Sequence, residues 1–443
     1  MTDTSSTAER YASHHQQLCQ LHESALQGLG FDSLAIYAGS PKIAFLDDYH
    51  FPFKANPHFL WWLPLEQHPE SWVVVRPGQK PQLIYHQPED YWHLPPSDPQ
   101  GVWTEHFDIV VTGNEKAARA ALPADLSRCA VIGENPPDWS FADINPQTLV
   151  NRLHWRRAAK SDYELDLMRS ASRSGARAHQ TAASAFENGD SEYEIHLKYI
   201  AACQHAEKEL PYNNIIALND HAAVLHYQNL SRDKSGPRHS FLIDAGAICD
   251  GYASDITRTY AEPGSDFGEL VSAMEARQLQ MVDDVRAGAS YPDLHIDCHR
   301  HVAELLEAFD VVNMPAQEMI EHRITSTFLP HGLGHLIGLQ VHDVGGHQAG
   351  PDGGDQAPPA SHPFLRTTRT LEAGYVVTIE PGLYFIPQLL DELKHSDHGT
   401  KVNWKRVEQF LPYGGIRIED DVVAQESGPP ENLTRDAFAS LKD

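Results

Sequence analysis

Short apolar runs separated by turn residues fill the first third of the chain. Ser33–Tyr37, Trp72–Val75, 81–85 and 109–111 are too short for helices and rich in β-branched or aromatic residues, which predicts strands. Residues 116–122 carry helical spacing between them, so the part up to about Trp155 is expected to be an α/β layer structure. The pattern changes at His154-Trp155-Arg156-Arg157. Ser161-Asp162-Tyr163-Glu164 then has the form of a capping box, with Ser161 as N-cap and Glu164 reaching back to it, and Leu165, Met168 and Ala171 follow at helical spacing. A second box, Ser191-Glu192-Tyr193-Glu194, opens a helix expected to run to about His205. The domain boundary is placed near residue 158, giving a smaller unit, 1–158, and a larger one, 159–443.

Beyond residue 238 the pattern predicts strands at Ser240–Asp244, 251–259 (after a turn at Asp250-Gly251), 375–380 and 415–423. Helices are expected over about 266–286 and 291–309, and the Gly/Pro-rich stretch 350–359 is expected to be a loop.

Charge removes some classes of partner. The 443 residues carry 34 basic and 61 acidic side chains, a net −27. Nucleic-acid binding relies on Lys and Arg to displace counterions, so nucleic acid and anionic membrane surfaces are not expected partners. The longest apolar stretches, such as Phe59-Leu60-Trp61-Trp62-Leu63, fall far short of the roughly 18 to 20 residues a bilayer requires. The polar start, Met1 to Arg10, lacks a signal-peptide pattern, and the five cysteines are scattered without a C-x-x-C pair. Reduced thiols in a cytoplasm are the expectation.

The chemistry is carried by acids at the ends or inside apolar strands: Asp244 closes Phe-Leu-Ile, Asp255 follows eleven positions later, Glu380 closes Val-Val-Thr-Ile, and Glu419 sits beside Ile418. Buried acids need a cation, and basic residues are scarce here. His331-Gly-Leu-Gly-His335 and His342 supply imidazoles. Two divalent ions among four carboxylates balance charge, and oxygen-rich ligation with one imidazole suits Mn, Co or Zn. Two ions sharing carboxylates about 3.5 Å apart hold a hydroxide nucleophile at neutral pH, and a nearby histidine stabilises an oxyanion. Hydrolysis of an amide or ester is the reaction class this suggests. Taken singly, each residue has a plainer reading. An Asp after a strand usually caps a turn, and most of the 27 histidines, such as His14, His15, His106 and His347, read as core or surface groups.

The ordered set Asp244-x10-Asp255, His331-Gly-Leu-Gly-His335, Thr378-Ile-Glu380-Pro-Gly and Arg417-Ile-Glu419-Asp resembles the pita-bread metallopeptidases. The likeness runs nearly end to end and is greatest to the bacterial Xaa-Pro dipeptidase (prolidase) branch and its relatives, the organophosphorus acid anhydrolases. The segments that carry it include Phe45-Leu-Asp-Asp48, Asp90-Tyr-Trp-His93, Ala223-Val-Leu-His226-Tyr and Gly338-Leu-Gln-Val-His342-Asp-Val.

The resemblance implies an α+β chain: a C-terminal pita-bread (creatinase/aminopeptidase-like) domain behind a smaller N-terminal α/β domain. It implies two divalent ions, Mn2+ foremost, with Asp244 chelating one, Asp255 and Glu419 bridging both, and His335 and Glu380 completing the second. Glu380 is expected to move the proton, His342 to stabilise the carbonyl or oxyanion, and His226 and His331 to position substrate. Arg366 is expected to hold the substrate's C-terminal carboxylate, and Tyr212 to line the pocket. Arg417 either supports the site or contacts substrate. Asp48 matches a residue that reaches the neighbouring subunit's pocket, so a homodimer is expected. The implied activity is hydrolysis of Xaa-Pro dipeptides, with phosphotriester hydrolysis as a side activity. Aminopeptidase P action on longer peptides is the runner-up, and a non-catalytic peptide-binding module is the reading from another class. Retention of all five ligand positions weighs against the last.

Overall fold

The computed structural model describes residues 4–442. The chain divides into two compact units, residues 1–167 with 348–354, and residues 168–347 with 355–443. The division falls inside the helix Asp162–Glu187 rather than near 158. The first unit also takes in a distant heptapeptide, held by Arg152 Nε donating to Asp352 Oδ1 at 2.7 Å and Gln348 Nε2 donating to the Asn151 carbonyl at 2.8 Å.

In the first unit the four expected strands join two that the pattern did not show, Cys129–Ile132 and Asp143–Ile144, in one mixed six-stranded sheet. Its order is Asp108–Thr112, Gln82–His86, Trp72–Val75, Ser33–Tyr37, Cys129–Ile132 and Asp143–Ile144. Tyr37 and Trp72 stack across neighbouring strands at 4.3 Å, within a core cluster that includes Val74, Ile84 and Val131. The helix Thr4–Leu26 was not foreseen. Its buried positions, Tyr11, His14, His15, Leu18, His22, Ala25 and Leu26, do recur at helical spacing. Three of the seven are histidines, which broke the apolar stripe. His14 is a satisfied core group: its ring nitrogens face Ser161 Oγ at 2.9 Å and the Trp61 carbonyl at 2.8 Å. The Ser161 box forms, with the Ser161 N–H donating to Glu164 Oε2 at 2.8 Å.

The second unit is built on short antiparallel sheets. Thr257–Ala261, Ser240–Asp244 and Ile215–Leu218 form one. Val376–Ile379, Asp420–Val423 and Glu431–Asn432 form another, and Gly382–Tyr384 pairs with Gly415–Arg417. Isolated bridges join Thr257 to Glu419 and Leu336 to Val377. Ala178, Ala182 and Ala185 of the long helix pack against Phe241 and Ile243, their small side chains allowing close approach to the sheet.

Two expected strands are broken, each at an acid of the expected ligand set. The stretch 251–259 divides into Tyr252–Ala253 and Thr257–Ala261, because the Asp255 N–H donates to the Asp421 carboxylate at 3.0 Å instead of to a ladder. The stretch 415–423 divides into Gly415–Arg417 and Asp420–Val423, because the Glu419 N–H crosses to the Thr257 carbonyl at 3.1 Å. The expected loop 350–359 contains a short strand, Gly353–Asp355.

The helix Glu192–Cys203 begins with the expected Ser191 capping box. Its first residue, Glu192, is buried, and its carboxylate accepts four hydrogen bonds. They come from the Leu218 N–H at 2.9 Å, His221 Nδ1 at 2.6 Å, Tyr227 OH at 2.7 Å and the Ser231 N–H at 2.7 Å. One side chain thereby ties down the whole segment that carries His226. Glu192→Ala leaves these donors unsatisfied and is expected to cost about 3 kcal/mol. Urea unfolding checks this; a loss below about 1 kcal/mol would contradict the anchor.

Candidate metal centre

Each expected ligand comes from a different stretch at or beside these sheets. Asp244 ends the central strand, opposite Thr257. Glu380 follows the Val376–Ile379 strand, and its N–H donates to the Leu333 carbonyl at 2.8 Å. That bond holds the glycine-rich His331–His335 segment alongside. His335 is fixed again by the Thr378 hydroxyl, which accepts from its N–H at 3.1 Å. Gly334 cannot be larger: a Cβ there would lie 2.2 Å from the Thr378 carbonyl and 2.5 Å from Tyr291 OH.

The side chains converge. Asp255, His335 and Glu419 each present a donor atom within 4.8 Å of the others, and all three are buried. His335 Nε2 stands 3.4 Å from Asp255 Oδ2 and 3.7 Å from Glu380 Oε1. Its Nδ1–H donates to the Leu336 carbonyl at 3.0 Å, which turns Nε2 toward the acids. Thr257 Oγ1 donates to Glu419 Oε2 at 2.7 Å, and Tyr212 OH donates to Asp255 Oδ1. Asp244 Oδ2 accepts from Arg417 Nη2 at 2.6 Å, while its buried Oδ1 has no hydrogen-bond partner.

Arg417 is buried and committed within the site. Besides Asp244 it donates to Tyr384 OH at 2.8 Å and Thr257 Oγ1 at 3.3 Å. Tyr384 OH in turn lies 2.9 Å from His331 Nε2, and His331 Nδ1 donates to the Gly332 carbonyl at 2.7 Å. A file of hydrogen bonds therefore runs from Asp244 through Arg417 and Tyr384 to His331. Burial, with the Arg417 charge, lowers His331 to about 4, so it works as a neutral imidazole.

The pocket is short of positive charge. Burial pushes Glu419 well up, and the facing Asp255, Glu380 and Asp244 add to it. Burial raises Glu380 to about 7, against the pull of His335 and Arg417. Asp244 is also raised by burial, which outweighs Arg417. Burial favours the neutral forms of Asp255 and His335 too, but their mutual hydrogen bond overrides it, lowering the acid and raising the imidazole. Four converging carboxylates, three of them raised toward their protonated forms, with one open buried oxygen and one oriented imidazole, fit divalent cations of the Mn, Co or Zn type. The neighbouring acid, Asp420, shows the contrast. Arg258 at 2.7 Å and Arg435 at 2.8 Å overcome its burial and hold it down at about 2, so it is a structural ion pair.

The expected substrate residues lie further out. His342 is exposed, its ring 4.4 Å from that of His335 and perpendicular to it. The buried part of its ring, then His335 and Arg366, lower it to about 4. Arg366 and His226 are exposed. Asp48 belongs to the other unit, on an exposed segment. Sequence reasoning missed Tyr384, Thr257 and Asp421. Tyr384 could have been found from its place four residues after Glu380, in a strand of its own.

The fold and this cluster of buried acids around one imidazole fit a metal-dependent peptidase. Residues 166–426 match the metallopeptidase family M24, and residues 9–155 match the Xaa-Pro dipeptidase N-terminal domain. The chain belongs to metallopeptidase family M24, which implies divalent metal ions. Among its curated relatives, an Xaa-Pro dipeptidase of Stenotrophomonas maltophilia is 50% identical over 97% of each chain. One of Xanthomonas euvesicatoria is 48% identical, covering 98% of this chain and 99% of its own. Solved structures share the fold. Zn-substituted Escherichia coli aminopeptidase P aligns with a TM-score of 0.71 at 22% identity, covering 97% of this chain and 95% of its own. Pseudomonas aeruginosa aminopeptidase PepP aligns with a TM-score of 0.73 at 22% identity, covering 98% of each chain. No helix among the described residues is long and apolar enough to cross a membrane.

Proposed function

We propose that this protein hydrolyses Xaa-Pro dipeptides, using two divalent cations, Mn2+ in the cell. The observation that carries the reading is the relatives named Xaa-Pro dipeptidase, matched at 50% identity over 97% of the chain. The convergence of the five donors supports it. Asp244 would hold one ion, His335 and Glu380 the other, and Asp255 and Glu419 both. When bound, such ions supply a water-derived nucleophile at neutral pH and polarise the scissile carbonyl.

The protein's own groups do the rest. Arg417 keeps Asp244 oriented, and Tyr212 and Thr257 do the same for Asp255 and Glu419. Glu380 holds the proton that the leaving amine needs, at the carboxylate facing His331 Nδ1 across 4.0 Å. His342 and His226 donate to the substrate carbonyl side, and His331 lines the pocket. Arg366 pairs with the substrate carboxylate, which sets the length at two residues, because that charge must lie one residue past the scissile bond. A bond to proline nitrogen lacks the N–H that ordinary peptidases engage, so a dedicated site is needed.

A homodimer is part of the reading. Phe45 is 91% exposed and Leu46 90%, just before Asp48, and Tyr91 is 88% and Leu94 95% exposed, in or next to the segment Asp90-Tyr-Trp-His93. Apolar exposure of that density supports a surface that another chain covers. A cytoplasmic setting is supported by the absence of disulfides among the five cysteines.

Substrate length tests the proposal. Leu-Pro and the same sequence extended by one residue are assayed side by side with the Mn2+-loaded protein. Cleavage of the dipeptide alone is expected. Preferential cleavage of the longer peptide would overturn the dipeptidase reading in favour of aminopeptidase P activity.

A further inference from the structure

Outside the acidic centre, three histidines meet. His295 and His299 lie one turn apart on the helix Tyr291–Ala308, and His362 comes from a separate loop. One ring nitrogen of each lies within 4.8 Å of the others. The ring centroids are 4.8 Å apart for His295 and His299, 4.6 Å for His295 and His362, and 4.5 Å for His299 and His362.

These imidazoles are not accounted for as packing. His295 and His299 are each 1% exposed. Neither ring nitrogen of His295 has a hydrogen-bond partner, nor does Nε2 of His299. Buried polar nitrogens without partners are rare and need an explanation. His299 Nδ1 faces Thr325 Oγ1 at 2.9 Å, the outer contact that fixes a tautomer and leaves Nε2 free to ligate. The surroundings of all three rings favour the neutral imidazole. Burial, then the neighbouring histidines, lowers His295 to about 2 and His299 to about 3, and burial with the Arg323 charge lowers His362. Neutral imidazoles bear the lone pairs a metal needs.

We propose that His295, His299 and His362 form a second metal site, one that takes a single Zn2+ ion apart from the carboxylate centre. The donor set favours an imidazole-binding ion, taken here as Zn2+, over Mn2+. An all-nitrogen site suits Zn2+, whereas Mn2+ prefers oxygen and binds such sites most weakly. A tetrahedral ion with Zn–N bonds of about 2.1 Å brings its nitrogens to about 3.4 Å, a small closure from the present spacing. The fourth position opens on a cavity of about 410 Å3, whose wall includes Arg323, Pro330, His331, Phe364 and Glu392. The ion ties the helix to the loop that leads, four residues on, to Arg366. It acts as a clasp on that loop.

Equilibrium dialysis of the full-length protein against micromolar free Zn2+, followed by elemental analysis, tests this. His362→Ala, at the most exposed of the three positions, and His299→Gln are each expected to hold one zinc per chain fewer than the parent. His395→Ala, at an exposed histidine, is expected to match it. Added Zn2+ should raise the melting temperature of the parent more than that of either variant. The comparison is a difference between proteins, so it stands whatever the carboxylate centre binds. Folded His362→Ala and His299→Gln proteins with the parent's zinc content would overturn the site.

Discussion

Asp255→Asn is expected to cut turnover of an Xaa-Pro dipeptide at least about 1,000-fold, about 4 kcal/mol of transition-state stabilisation, while the protein stays folded. The substitution keeps the side chain's size, and the new carbonyl oxygen still accepts from Tyr212 OH. It removes one negative charge from the three-residue core of the centre, formed with His335 and Glu419. It also removes the partner that raises His335. A site with one charge fewer no longer balances two divalent ions, so metal content should fall with activity. Elemental analysis and circular dichroism on the purified variant check both halves. A folded variant with normal metal content and full turnover would refute the ligand assignment.

Arg366→Ala is expected to raise KM for dipeptides about 100-fold, about 2.7 kcal/mol, with a smaller change in kcat and no loss of metal. Arg366 is exposed, yet its charge bears on His342, which in turn stands against the ring of His335. It is therefore near the metal centre without being spent in it, unlike Arg417, whose guanidinium is committed to Asp244, Tyr384 and Thr257. A free carboxylate arriving with the substrate is the group it can pair with. Steady-state kinetics with Leu-Pro decide the matter: unchanged KM would remove Arg366 from substrate binding.

The site was more legible in the sequence than the fold around it. Asp244 and Glu380 could be read because an acid that closes an apolar strand stands out against its neighbours. The backbone at Asp255 and Glu419 was misread as continuous strand. Its breaks depend on an Asp421 carboxylate and a Thr257 carbonyl far away in sequence, which no local pattern records. Tyr384 was missed because its role is a relay between Arg417 and His331, visible only once the strands Gly382–Tyr384 and Gly415–Arg417 pair. The N-terminal helix was hidden by histidines at buried positions. The alliance of residues 348–354 with the first unit rests on contacts such as Arg152 with Asp352, beyond any local signal. The same limit applies to the histidine cluster. His295 and His299 sit one turn apart on a helix the periodicity predicts, but their partner His362 comes from a distant loop.

The central claim is that five protein donors hold two catalytic divalent cations. Stripping the protein of metal with a chelator, then titrating Mn2+ back while following Leu-Pro cleavage, tests it most directly. Mn2+ is suited to the carboxylate centre and not to the three-histidine site, so the titration reads the former. Activity absent in the stripped protein and restored in full at two equivalents per chain is the predicted result. Full turnover by the stripped protein, or complete recovery at one equivalent, would contradict it.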